Sequence, residues 1–129
     1  EAGRVKDPSA AAGLGAAEAG VAQLERRLAE TPFRAPEAED LAALRLGARE
    51  LAAAAAQGRL LRLPDEVVLL PTAPALAMRE LARLEQPFTT SEARQALGTT
   101  RRVAIPLLEH LDGRGWTRRV DAGHREIVR

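Results

Sequence analysis

Residues 88–113 read FTTSEARQALGTTRRVAIPLLEHLDG and contain the start and stop signals of two consecutive helices. Thr89 can accept a hydrogen bond from the backbone amide of Glu92, whose carboxylate can return one, so this spacing predicts a capping box. Gly98 is predicted to end that helix. A further helix is predicted over 100–112, where apolar residues recur at helical spacing. These residues are Val103, Leu107, Leu108 and Leu111.

The flanking sequence adds one helix before this segment and a hairpin after it. Leucines at helical spacing predict a helix over 76–86, and alternating stretches at 116–120 and 125–128 predict two strands around the turn 121–124. Three helices followed by a two-stranded ribbon is the winged-helix arrangement, in which the third helix and the ribbon, or wing, form one face. Pro106 requires that the third helix either starts later than Thr100 or is kinked.

The same order of elements occurs earlier in the chain. Helical spacing starts at Val21, and a Pro64-Asp65-Glu66 turn separates two β-rich stretches. Phe33 and Phe88 are 55 positions apart and Gly58 and Gly115 are 57 apart, and these similar separations indicate a duplicated unit. We therefore predict a mostly α fold with short β-hairpins, made of two tandem winged-helix domains. A six-helix bundle is the alternative, and it leaves both hairpins unexplained. The predicted ranges are a linker or tail of a preceding winged-helix domain at 1–20, a first domain at 21–72 and a second at 73–129.

Composition excludes several classes of function. The 129 residues are 46% hydrophobic and 29% charged, as in a globular chain, and they include no cysteine for a disulfide, a thiolate metal site or a nucleophile. The sequence contains no apolar run of about 20 residues, no glycine-rich phosphate loop and no clustered histidines. We expect no catalytic residue, no metal site and no membrane contact. Because the chain begins at Glu1 and lacks disulfides, we interpret it as part of a larger cytoplasmic protein.

Positive charge is concentrated in the last part of the chain. Residues 99–129 hold seven arginines against four acidic residues, whereas the third helix of the first copy is mostly alanine. Phosphate binds well where arginines meet a helix start, and solvated surface arginines are the alternative interpretation. We interpret the first copy as a structural spacer and the second as nucleic-acid-binding. The candidate residues are Thr99, Thr100, Arg101 and Arg102 at the helix start, and Arg118, Arg119, His124 and Arg125 in the wing. Because successive strand residues alternate faces, Arg118 and Arg119 cannot both point outward, and one of them is expected to pair with Asp121 or Glu126.

Residues 88–119 resemble the last winged-helix domain of the bacterial selenocysteine-specific translation elongation factor. That family has a pattern close to ALGTSRKYAIPLLEYLD where this chain has ALGTTRRVAIPLLEHLD at 96–112. The stretch GRLLRLPDEVVL at 58–69 resembles the preceding winged helix of the same family more loosely. Val103 departs from the usual tyrosine of the family.

The resemblance implies a non-enzymatic, RNA-binding role in protein biosynthesis. The last winged helix of the family binds the mRNA hairpin that marks an in-frame UGA for selenocysteine. Thr100, Arg101 and Arg102 stand where the family has Ser-Arg-Lys, and Arg118, Arg119 and Arg125 stand in its basic wing. The GTPase that binds GTP and Mg²⁺, and the contacts to the ribosome and selenocysteyl-tRNA, belong to the full-length protein. We expect no cofactor in this chain, and a monomer.

Two other functions are consistent with the residues alone. A winged helix can act as a DNA-binding transcription regulator, whose third helix enters a major groove, usually as a dimer. It can also act as a protein-protein interaction module. The second possibility predicts that the alanine-rich face of the first copy carries the affinity.

Overall fold

The computed structural model describes residues 15–129, which form six helices and two small antiparallel sheets in this part of the chain. Most of the predicted linker at 1–20 lies outside the described residues. Its last part is helical rather than extended, because a 3₁₀ turn at Gly15–Ala17 leads directly into the first helix, and Ala17 is already buried. Within residues 15–129 no helix has the length and apolar character needed to cross a membrane.

The first unit consists of three helices and a hairpin. Its elements are α1 (Glu18–Glu30), α2 (Ala38–Ala43), α3 (Ala48–Ala56), β1 (Leu61–Leu63) and β2 (Val67–Leu69), the strands being antiparallel with Leu61 opposite Leu69. Apolar residues four apart on α1, Leu24 and Leu28, are buried, as expected for one face of a helix. Gly20 permits the close approach of α1 to the α2–α3 turn, since a Cβ at Gly20 would lie 2.5 Å from the carbonyl oxygen of Leu44.

The second unit repeats this order with one additional strand. Its elements are α4 (Ala73–Leu81), β3 (Phe88–Thr89), α5 (Thr90–Leu97), α6 (Arg101–Gly113), β4 (Thr117–Asp121) and β5 (His124–Ile127). The strands form an antiparallel sheet in the order β3-β5-β4. We call the β4–β5 hairpin the wing. The prediction of a mostly helical, winged-helix chain with short hairpins is confirmed.

The helix signals of residues 88–113 act as predicted. Thr89 Oγ1 accepts a hydrogen bond from the Glu92 amide at 3.0 Å, and Glu92 Oε1 accepts one from the Thr89 amide at 2.8 Å. Gly98 ends α5 in the left-handed conformation, with φ 63°. The third helix begins at Arg101 and continues through the buried Pro106. Pro106 therefore lies inside the helix, and the alternative in which the helix starts just before the proline is wrong.

The two units pack against each other around a continuous core. Buried residues of α1 and of the first hairpin belong to the same apolar cluster as Phe88 and the inward face of α6. Helix α6 also lies against β1 and β2 of the first unit. The start of α6 is therefore close to residues of the first unit, which decides how several of the candidate site residues are used.

Candidate nucleic-acid interface

The start of α6 presents Arg101 to solvent. Thr100 occupies the N-cap position in extended conformation, and its side chain makes no capping hydrogen bond. The first amides of a helix have no partner inside the helix and carry partial positive charge. Arg101 is exposed beside them and forms no ion pair with any residue between 15 and 129. This end of the helix therefore combines unused donors with a full positive charge.

Two other residues of this helix start are directed at the first unit. Thr99 Oγ1 donates a hydrogen bond to the carbonyl oxygen of Phe33 at 2.6 Å. Arg102 Nη2 lies 3.3 Å from both the Ala35 carbonyl oxygen and the Glu37 carboxylate. The sequence predicts Thr99 and Arg102 as ligand-binding residues with Arg101. In the structure both contact the first unit, and Arg102 remains exposed at the cleft between the two units.

The wing carries two exposed arginines on β4. Arg118 Nε donates to the Glu126 carboxylate at 2.7 Å, across the strand pair that sets these two residues opposite each other. The sequence predicts that one of the two arginines pairs with Asp121 or Glu126, and the Arg118–Glu126 pair is such an ion pair. Arg119 Nη2 donates to the Ala122 carbonyl oxygen at 3.0 Å and keeps its charge uncompensated by a carboxylate within the described chain. Both side chains are exposed although the two residues are in regular register, Arg118 opposite Glu126 and Arg119 opposite Arg125, so the prediction that only one of the two arginines points outward is wrong.

Arg125 is not on the surface. Only 7% of the residue is exposed, and its Nε donates to the Asp112 carboxylate at 3.0 Å. Asp112 also accepts a hydrogen bond from Thr117 Oγ1 at 2.6 Å. The placement of Arg125 with the exposed wing arginines is therefore corrected: strand pairing turns its side chain toward α6, where the carboxylate at the helix end satisfies it.

His124 is the first residue of β5 rather than part of the turn. Its Nδ1 lies 3.0 Å from Asp121 Oδ1, which also accepts the Gly123 amide at 2.8 Å. The hydrogen bond from His124 and then that from Gly123 lower the pKa of Asp121. The carboxylate and the imidazole shape the wing turn together, and His124 stays half-exposed at its edge.

His110, the other histidine, adds no charge to this surface. Burial on α6 lowers its pKa, and the nearby Arg114 guanidinium lowers it further. Arg114 itself lies over the ring of Trp116, 4.4 Å from the centroid. Among residues 15–129 no group of acidic or imidazole side chains has the arrangement of a metal site.

The exposed candidates lie at both ends of α6. Arg101 begins the helix, whereas Asp112, near its other end, contacts the base of the wing. At 1.5 Å per residue the two points are about 16 Å apart along the axis. Thr100 and Arg101 thus lie at one end of α6, and Arg118, Arg119 and His124 lie on the wing near its other end, so the exposed candidates do not line one pocket.

The first unit shows a different surface in the corresponding place. A groove of about 520 Å³ between α2, α3 and the first hairpin is lined mainly by apolar side chains, including Leu41, Leu51 and Val67. Arg45 and Arg62 lie in the same lining with Glu66. Apolar side chains predominate in this groove, which therefore differs from the polar surface at the start of α6.

One arginine of the first unit was missed by the sequence analysis. Arg34 is exposed and lines the same cleft as Thr100 and Arg102. No local signal could reveal this, because the contact joins segments more than sixty positions apart, such as Thr99 and Phe33.

Comparisons with known proteins agree with this architecture. Residues 79–125 match the family model described as elongation factor SelB, winged helix. A solved bacterial selenocysteine-specific elongation factor, EF-Sec, aligns with 89% of this chain at a TM-score of 0.68 and 23% sequence identity, and the chain spans 19% of that protein. None of the curated proteins matches the chain. The family match and the shared fold confirm the resemblance seen in the sequence: this chain is similar to the winged-helix region of the selenocysteine-specific elongation factors.

Proposed function

We propose that the chain binds an mRNA stem-loop through its second unit, as the C-terminal arm of a selenocysteine-specific elongation factor. The arm tethers the GTPase and its selenocysteyl-tRNA to the message during UGA decoding on the ribosome. GTP and Mg²⁺ are held elsewhere in the full-length protein, and this chain acts in the cytoplasm as a non-enzymatic monomer. The observation that carries the proposal is the exposed Arg101 at a helix start where the N-cap residue, Thr100, makes no side-chain capping bond. This helix belongs to the unit that matches a SelB winged helix.

The physical chemistry of RNA fits such a surface. The bases of an A-form stem face a deep, narrow groove that side chains cannot read, so a protein contacts backbone phosphates and nucleotides displaced from the loop. Arg101 and Arg119 supply charge at the two ends of the surface, and arginine can also stack on an extruded base. The surface contains no Phe, Tyr or Trp, so stacking falls to the guanidinium groups and to the half-exposed imidazole of His124.

The first prediction concerns these two arginines. Replacing both, R101A with R119A, removes two phosphate contacts and makes the slope of log K against log salt shallower by about 1.5–2. The measurement is fluorescence anisotropy of a labelled RNA stem-loop with a fixed stem and a randomised loop, between about 50 and 200 mM salt.

The control replaces two other exposed arginines of the second unit, R79A with R83A, which changes the net charge equally. Arg79 and Arg83 lie on or just after α4, outside the proposed surface. The control variant should keep the wild-type slope. Equal slopes for wild type and R101A/R119A would contradict the proposed surface.

A further inference from the structure

The loop between α1 and α2 of the first unit borders the proposed RNA surface. Thr99 Oγ1 donates to the Phe33 carbonyl oxygen at 2.6 Å, and Arg102 Nη2 donates to the Ala35 carbonyl oxygen at 3.3 Å. These bonds hold the loop at the start of α6. The two units therefore present one surface at this point rather than two independent ones.

A cleft of about 390 Å³ lies where the loop meets α6. Its charged lining consists of three arginines, Arg27, Arg34 and Arg102, and two carboxylates, Glu37 and Asp40. Four of these five residues belong to the first unit. The cleft thus depends on both units, and neither lines it alone.

The charges of the cleft do not cancel. Arg102 Nη2 is 3.3 Å from Glu37 Oε2, and Arg27 Nη1 is 3.9 Å from Asp40 Oδ1. Arg34 forms no ion pair with any residue in the described range 15–129, and it is exposed. The described lining therefore carries one surplus positive charge, located on Arg34, which one phosphodiester would neutralise.

We propose that the first unit is part of the nucleic-acid interface, with Arg34 binding a backbone phosphate of an RNA strand that crosses the cleft beside Thr100 and Arg101. This rests on the proposed function and replaces the role of pure spacer expected for the first unit. The partner is a phosphodiester strand because the single surplus charge is solvent-exposed and lines the same cleft as Thr100, the residue before Arg101. Glu37 limits the positive charge of the cleft by holding Arg102.

The second prediction tests Arg34 directly in the whole chain. R34A should make the slope of log K against log salt shallower by about 1 in the stem-loop titration, because one phosphate contact is lost. R34K retains the charge and should keep the slope. R26A removes an exposed arginine of α1 that does not line the cleft, and it should also keep the slope. E37Q should have the opposite effect to R34A, with tighter binding, because Arg102 loses its anionic partner.

The outcomes separate this inference from the proposed function. If R101A/R119A flattens the slope and R34A does not, RNA binding stands and the contribution of the first unit is wrong. If neither variant changes the slope, the proposed function itself is wrong. Thermal unfolding of R34A should match wild type, because Arg34 is exposed, and an altered melting temperature would assign Arg34 a structural role instead.

Discussion

Two arginines that occupy neighbouring strands of the wing have opposite environments. Arg125 is buried against Asp112, whereas the side chain of Arg118 is 69% exposed in its pair with Glu126. A buried charge that loses its partner is costly, whereas an exposed ion pair contributes little. From the sequence alone both residues are predicted to be exposed wing arginines. Only the strand register shows that Arg125 is buried and that Arg118 is on the surface. For that reason Arg125 is a structural residue of the wing, whereas Arg118 stays among the exposed candidates.

The third prediction follows from that difference. R125A should lower the free energy of unfolding by about 3 kcal/mol, since it leaves the Asp112 carboxylate half-buried without its cation. R118A, the matched control, should cost less than about 1 kcal/mol. Denaturant unfolding of both variants measures the difference. Similar small costs would show that the Arg125–Asp112 pair does not stabilise the fold.

At the scale of elements, the sequence was sufficient to predict a helix boundary where the two bonded residues lie within a few positions of each other. The capping box of Thr89 and Glu92 and the αL glycine Gly98 set the bounds of α5 as predicted. Strand β3 was missed, because its two residues, Phe88 and Thr89, become a strand only by pairing with Arg125 and His124. Long-range pairing of so short a segment leaves no periodicity in the sequence.

The fourth prediction concerns this helix start. T89A removes the acceptor for the Glu92 amide and should destabilise the chain by about 1 kcal/mol, without altering the backbone pairing of β3. S91A, at an exposed position in the first turn, should stay within about 0.5 kcal/mol of wild type. Urea unfolding compares the two variants, and equal midpoints would contradict the cap.

At the scale of the whole molecule, the duplication and the fold were predictable and the combined surface was not. Spacing of landmarks such as Phe33 and Phe88 indicates two copies, but says nothing about how they meet. The bond from Thr99 to Phe33 and the contact of Arg102 with Glu37 depend on packing between units. They direct Thr99 and Arg102 toward the first unit and place Arg34 in the same cleft as Arg102.

The fifth prediction, a competition titration, tests the central claim most directly. The chain is bound to a labelled RNA stem-loop and displaced with unlabelled RNA stem-loop or duplex DNA, at about 50 and 200 mM salt. We expect the RNA stem-loop to compete more strongly than the DNA at both salt concentrations, and binding to weaken steeply at the higher one. Stronger competition by duplex DNA would instead indicate a DNA-binding regulator. Absence of salt-dependent binding to either nucleic acid would contradict the account and favour a protein-protein interaction module.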